Sequence, residues 1–250
     1  MKIKLRTLLT MLLLPWLLAP AAALGNPPEM LDGLLEPNQK VAVSSQVPGI
    51  LDEVLVERGD TVQPGQILAR LKSGVEKAAV ELAEARVEFG MRKAVRNEEL
   101  YKKQLISIHE KDELETEIQL ARLELREAKE RLNLRTIVSP IQGVVVERLH
   151  APGDYVGEDA ILTVAGINPL NVEVVVPVAQ FGSIRNGMRA EVKPEAPVGG
   201  SYTATVVIVD KVVDAASGTF GVRLTLPNPS NRLPAGLKCT VGFLPLGQGT

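Results

Sequence analysis

The chain has 250 residues, 45% of them hydrophobic but only 3% aromatic, so Val, Ile, Leu and Ala must fill whatever core it builds. One cysteine (Cys239) and two histidines (His109, His150) exclude a disulfide framework within one chain and nearly exclude a Cys/His metal centre. Lys plus Arg at 28 against Asp plus Glu at 30 gives a net charge of −2, which argues against a broad nucleic-acid-binding surface; no cofactor or metal is expected, and the scarcity of reactive side chains points away from an enzyme.

Residues 1–23 read as an export signal. Lys2, Lys4 and Arg6 make a positive start, Leu8 to Ala19 an apolar run broken by Pro15, and Ala21, Ala22 and Ala23 a small-residue cleavage site. The run is about 12 residues, short of the ~20 that a membrane-spanning helix needs. An exported product is therefore expected, with an uncleaved N-terminal anchor as the alternative. No cysteine follows the signal to carry a lipid. Without the three basic residues of the signal, 25 positive charges face 30 negative ones, a net charge of −5. Residues 24–40 are expected as an N-terminal extension.

Next comes the first half of an internal repeat, over 41–72, whose second half follows at 136–170. At a fixed offset of 94 residues, Gly49 matches Gly143, Glu53 matches Glu147, Leu55 matches Leu149, and Gly59-Asp60 matches Gly153-Asp154. Val62 then matches Val156, and Ile67-Leu68 matches Ile161-Leu162. Eight identities over about twenty ungapped positions mark a duplicated unit. Each half alternates apolar and polar residues around a Gly-Asp turn, which is strand–turn–strand chemistry. A single half has too few strands to stand alone, so the two should pack as one small β-sandwich. The turn assigns structural roles to Gly49, Gly59, Asp60, Gly143, Gly153 and Asp154. This pattern resembles the two half-motifs of biotinyl/lipoyl domains. In carrier versions the modified Lys sits on the hairpin joining the halves; here about sixty residues replace that hairpin, and Lys72 reads as a solvated residue ahead of a helix.

Between the halves, 73–135 turns to Ala, Glu, Leu, Lys and Arg with no proline. Ser73 with Glu76, and Ser107 with Glu110, have capping-box spacing, predicting helices over about 74–104 and 108–134. Leu114, Ile118, Ala121, Leu125, Ala128 and Leu132 follow a 4-3-4-3-4 rhythm. In the first helix Val75, Ala79, Leu82 and Phe89 fit the same seam, with Arg86 intruding and Lys93 and Arg96 making its distal part polar. An antiparallel coiled-coil hairpin is expected, its tip between Gln104 and His109. The polar distal seam leaves two readings open: fraying of a solvated end, or completion by a partner's helices.

The last segment, 171–246, is rich in Val, Thr, Gly and Pro. Strands are predicted at Val172–Val176, Arg189–Val192, Tyr202–Val209, Thr219–Leu226 and Lys238–Phe243, the pattern of a small β-barrel or sandwich. Cys239 falls in the last of them and reads as a buried, unreactive thiol. The chain has no nucleophile–base–acid motif and no phosphate-binding glycine loop. The fold expected is mainly β and elongated: a split biotinyl/lipoyl-like β-sandwich with an α-helical coiled-coil hairpin, plus a small β-barrel.

Split lipoyl halves around a helical hairpin, followed by a barrel, resemble the periplasmic adaptor family, also called membrane-fusion or HlyD-like proteins of tripartite efflux pumps. The resemblance covers about 38–245 and is carried by Val47-Pro48-Gly49-Ile50-Leu51, the run 56–66, Ile137 to Val145, Ser217 to Arg223, and Asn228 through Gly236. It implies adaptors in a homo-oligomeric ring that link an inner-membrane transporter, of resistance-nodulation-division (RND) type or alternatively an ATP-driven (ABC) type, to an outer-membrane channel. The hairpin tips would meet the channel and the barrel the transporter. The family's tip motif of Arg, Leu four residues on and Ser seven beyond matches Arg96, Leu100 and Ser107. Many members also carry a membrane-proximal domain, which is not expected here. Met30, Met91 and Met188 are too scattered for a soft-metal site. A lipoyl or biotinyl carrier is the competing reading from another class, and a coiled-coil scaffold without a transporter is a third.

Overall fold

The duplicated segments fold as equivalent parts of one sandwich. The computed structural model describes residues 30–244, so the signal expected over 1–23 and the last residues of the expected barrel lie outside the described residues. The first half supplies β1 (Met30–Ser44), β2 (Gly49–Val54), β3 (Thr61–Val62) and β4 (Ile67–Leu71); α1 (Gly74–Lys102) and α2 (Ile108–Asn133) follow. The second half supplies β5 (Thr136–Val138), β6 (Gly143–Arg148), β7 (Tyr155–Val156) and β8 (Ala160–Pro177). One layer of the sandwich has the order β5-β4-β2-β7, the other β1-β8-β6-β3.

The 94-residue offset relates the hydrogen bonds as well as the side chains. Leu51 N–H donates to the Asp154 carbonyl at 2.8 Å, and Val145 N–H to that of Asp60 at 2.9 Å. Gly59 N–H donates to the Val145 carbonyl and Gly153 N–H to that of Leu51, each at 2.8 Å. Ser45 and Ser139, outside the matched run, each donate a hydroxyl proton to the carbonyl two residues on. Each turn is thus tied to the opposite half, and neither half can satisfy its backbone alone. Between the layers Leu51, Val62 and Leu68 meet Val145, Val156 and Leu162, all completely or almost completely buried. Each such side chain contributes about 1.5–3 kcal/mol by leaving water.

Strands β1 and β8 do not stop at the sandwich. Their antiparallel ladder pairs Gln39 to Ser44 with Gly166 to Ala160. After an irregularity at Pro37/Gln39 it continues with Gly33 to Pro37 against Val174 to Leu170. Beyond that point β9 (Arg189–Pro194), β10 (Tyr202–Val209), β11 (Thr219–Leu226) and β12 (Lys238–Phe243) complete a closed six-stranded barrel in the order β1-β12-β9-β10-β11-β8. Inward positions alternate as the sequence predicts: Val172, Val174 and Val176 on β8, and Phe220, Val222, Leu224 and Leu226 on β11. Asn228 plugs the end facing the sandwich, donating to the Ile167 and Leu233 carbonyls at 3.0 and 2.9 Å.

Residues 30–40, part of the expected extension, are strand. Their alternation is interrupted because the inward position between Leu31 and Leu35 is Gly33. A Cβ there would lie 3.1 Å from the Cys239 Sγ, so the cysteine occupies the space a side chain would fill. Cys239 is buried, and burial first, then Asp32 and Glu195, pushes its thiol up to about 11.

Candidate functional site: the helical hairpin and its tip

The two helices leave the sandwich where β1 ends, away from the barrel. At their root Arg135 donates to the Glu76 carboxylate at 2.7 Å and to the Pro48 carbonyl at 3.0 Å. Both side chains are mostly sheltered from solvent, so this ion pair is screened less than one at the surface. It also departs from the sequence pattern. Ser73 is the N-cap of α1 but makes no side-chain cap bond, and the Glu76 carboxylate that would complete a capping box is engaged by Arg135 instead.

Ion pairs fix the direction of the helices. Glu84 meets Lys129 at 2.9 Å, Arg86 meets Glu124 at 2.8 Å, Lys93 meets Glu117 at 3.0 Å and Glu98 meets Lys111 at 3.1 Å. Partner numbers fall as α1 numbers rise, so the helices run antiparallel. Helix α2 buries Leu114 and Ile118 and half-buries Ala121, Leu125, Ala128 and Leu132, in the phase its spacing predicts.

Helix α1 is rotated from its expected phase. Val75, Leu82 and Phe89 point outward, while Val80, Ala83, Val87 and Gly90 face α2. The cause lies at both ends of this stretch. Glu76 is drawn to Arg135, and Gly90 lets α2 come so close that an added Cβ would stand 3.0 Å from Ile118. The polar distal seam is paired in part: Lys93 finds a partner on α2, as does Glu98 beyond it, while Arg96 stays exposed, and Lys111 also lies 5.1 Å from the centre of the Tyr101 ring. Lys111 holds Glu98 below its ordinary carboxylate range, and Glu98 raises Lys111 in turn.

At the tip two interlocking caps reverse the chain. Gln104 N–H donates to the Tyr101 carbonyl at 2.8 Å and Leu105 N–H to that of Leu100 at 2.9 Å, the double bond pattern of a Schellman motif. Its left-handed position, most often glycine, holds Gln104 at φ = 58°. Helix α2 then opens on a complete capping box. Ser107 Oγ accepts the Glu110 N–H at 3.2 Å, and the Glu110 carboxylate accepts the Ser107 N–H at 2.7 Å. The Ser107 N–H first and its hydroxyl second hold Glu110 below its ordinary range.

Of the tip residues expected from the sequence, Arg96 and Leu100 stand one helical turn apart on α1 and Ser107 lies across the reversal. Arg96 is exposed and makes no ion pair among the described residues; Leu100 is half-buried; the Ser107 hydroxyl is committed to Glu110. Sequence reasoning missed Leu105 and Ile108, which project at 66% and 55% exposure from the apex itself.

The turn residues divide into two kinds. Gly59 and Gly153 hold φ of 97° and 99°, while Asp60 and Asp154 accept the N–H three residues back, from Glu57 and Ala151, both at 2.8 Å. That bond first, then His150, holds Asp154 below its ordinary range. Gly49 and Gly143, by contrast, open strands. A Cβ on Gly143 would fall 2.3 Å from the Ala165 carbonyl oxygen, and one on Gly49 would fall 2.7 Å from the Arg135 guanidinium. Close approach, not turn geometry, explains glycine at these two positions, to backbone at Gly143 and to the end of a side chain at Gly49.

Among the described residues no helix is long and apolar enough to cross a membrane. Comparison with known proteins accounts for nearly all of the described chain. Residues 39–166 match the family model described as CzcB-like, barrel-sandwich hybrid domain, and residues 170–245 match the CusB-like, beta-barrel domain. Nodulation protein NolF of Rhizobium meliloti is 25% identical over 227 residues, covering 85% of this chain and 62% of that protein. The efflux pump periplasmic linker BepD of Brucella suis is 24% identical over 229 residues, covering 79% of this chain and 58% of the linker. The chain thus spans less than two thirds of the length of these relatives. A solved MacA-MexA chimeric protein containing the Pseudomonas aeruginosa MexA α-hairpin domain shares the fold, with a TM-score of 0.72, 20% identity, and coverage of 87% of this chain and 81% of the chimera.

Proposed function

Because this chain belongs to the membrane fusion, or adaptor, family defined by its CzcB-like and CusB-like domains, we propose that it is the periplasmic adaptor subunit of a tripartite efflux pump. In this reading it bridges an inner-membrane transporter and an outer-membrane channel without catalysing a reaction. One observation carries the proposal: the hairpin and the barrel leave opposite ends of a sandwich whose halves are cross-tied, so the chain has two separated surfaces joined by a stiff centre. The barrel end meets the transporter and the hairpin tip, with Arg96, Leu100 and Ser107, meets the channel. The helices act as a coiled-coil hairpin, and several copies form a ring. Support for the ring comes from Val75, Leu82 and Phe89, an outward apolar line at seven-residue spacing that a neighbouring copy would cover. An RND-type transporter is favoured over an ABC-type one because the model matching the barrel describes RND barrels.

Purification of the tagged full chain from detergent-solubilised envelopes of its own organism tests this. An inner-membrane transporter and an outer-membrane channel should both accompany it. Recovery of the chain with neither, at an intact mass raised by a lipoyl or biotinyl group, would replace the adaptor with a carrier.

A further inference from the structure

We propose that the barrel end opposite the sandwich docks on a phospholipid bilayer, through an apolar rim of Val178, Phe181 and Val212 with Arg185 and Lys211 beside it. The proposal rests on the adaptor reading only for turning this end toward the inner membrane.

Topology gathers the rim from remote parts of the chain. Strand β8 leaves the sandwich and ends at Pro177, opposite Thr219, the first residue of β11. The connections 178–188 and 210–218 therefore lie at the same end, and Met30 joins them there by pairing with Gly242. The connections are tied to each other, since the Val178 N–H donates to the Gly218 carbonyl at 2.9 Å. Phe181 stands edge-on to Phe220 of the barrel interior, with ring centres 5.2 Å apart. The second connection is closed by Asp214 N–H on the Thr219 carbonyl and Gly218 N–H on that of Asp214, each at 2.8 Å. On this fixed backbone Val212 is 81% exposed and Phe181 52%, and Val178 and Met30 are exposed as well. One exposed apolar residue is ordinary; four at one end of a barrel make an apolar rim.

Charge around the rim selects the partner. Arg185 and Lys211 are exposed and make no ion pair among the described residues. The two carboxylates of the same connections are engaged by the barrel itself. Asp214 accepts the Ala216 N–H and the Ser217 hydroxyl proton, both at 2.9 Å. Asp210 lies over β11, its Oδ2 filling the space that a Cβ on Gly221 would take. Free cations around projecting apolar side chains suit anionic headgroups over an acyl layer. A second copy of this chain would bring the same cations, so like charge opposes rim-to-rim pairing.

The chain ahead of the described residues also leaves from this rim. Met30 opens β1 there, and the 29 residues before it include the apolar run Leu8 to Ala19. Ten residues separate Ala19 from Met30, a reach of about 35–40 Å. A run inserted in the inner membrane would keep the rim within that distance of its surface. Such a tether makes the second contact intramolecular, so that a few side chains suffice to hold it.

The test uses the purified full chain on vesicles of phosphatidylethanolamine and phosphatidylglycerol carrying brominated acyl chains. Trp16 is the only tryptophan, so in a Trp16→Phe background Val212→Trp, Phe181→Trp or Tyr155→Trp each supplies a single indole. Tyr155 is the control, 70% exposed on the sandwich. Fluorescence should be quenched at least twofold in Val212→Trp and Phe181→Trp and unchanged in Tyr155→Trp. Adding Phe181→Asp to Val212→Trp should at least halve the quenching, with the fold checked by circular dichroism. Arg185→Glu/Lys211→Glu should reduce it on vesicles containing phosphatidylglycerol and leave it unchanged on phosphatidylcholine alone. No quenching at either rim position, or equal quenching in Tyr155→Trp, would overturn the proposal. A transporter and a channel that still accompany such a chain would leave the adaptor reading standing. Rim variants that lose the transporter, without quenching in the parent set, would assign the rim to protein and overturn the lipid contact. Quenching as expected in a chain that recovers neither partner would uphold the rim and defeat the adaptor reading.

Discussion

Gly49 and Gly143 occupy equivalent positions in the repeat yet are glycine for different reasons. Beyond Gly143 lies backbone, the Ala165 carbonyl, which cannot move without breaking the β6–β8 ladder. Beyond Gly49 lies the end of the Arg135 side chain, which can swing aside at the cost of its bond to Pro48. Gly143→Ala should therefore cost more than about 2 kcal/mol of stability, and Gly49→Ala about 1 kcal/mol or less, measured by urea unfolding. Equal losses would mean that the two halves are not packed as described. The repeat itself marked these glycines, but not their roles, because a close approach depends on strands remote in sequence. Gly59-Asp60 and Gly153-Asp154 were readable because their turn chemistry is local.

Helices α1 and α2 show the same contrast between local and remote causes. Helix α2 carries its cap and its seam within its own sequence, so its start and its buried face are both readable. Helix α1 contains an equally regular line of large apolar residues, but its orientation is decided by Arg135, sixty residues away from the helix start, and by small residues that pack closely. A seam of Ala and Gly is a weak signal in a hydrophobic pattern. Leu105 and Ile108 were missed because nothing in periodicity distinguishes an exposed apolar residue in a turn from a buried one.

The capping box yields a prediction with a definite sign. Glu110 is held below its ordinary range by Ser107, so its contribution is present above the unfolded carboxylate range and disappears as pH falls through the lowered native value. Ser107→Ala should lower hairpin stability at neutral pH by about 1 kcal/mol, the ordinary worth of an N-cap. The wild-type advantage should shrink on acidification below the carboxylate range. Thermal melts followed at 222 nm check both; an advantage that grows with acid would contradict the capping assignment.

At the level of the molecule, the β1–β8 ladder runs through both β-modules, so the barrel is continuous with the sandwich, while Arg135 ties the hairpin root to the other end. Nearly all of the barrel was readable from alternation and turn residues. Its first strand was not, because the inward position at Gly33 is filled by Cys239. The sandwich was readable through duplication, although its cross-tying emerges only in three dimensions. Electron cryomicroscopy of the particle purified on the tagged full chain tests the bridging role most directly. Copies of the chain should stand in a ring with hairpin tips against an outer-membrane channel and barrels against an inner-membrane transporter. Barrels seated on the channel, or a particle containing this chain alone, would contradict the account.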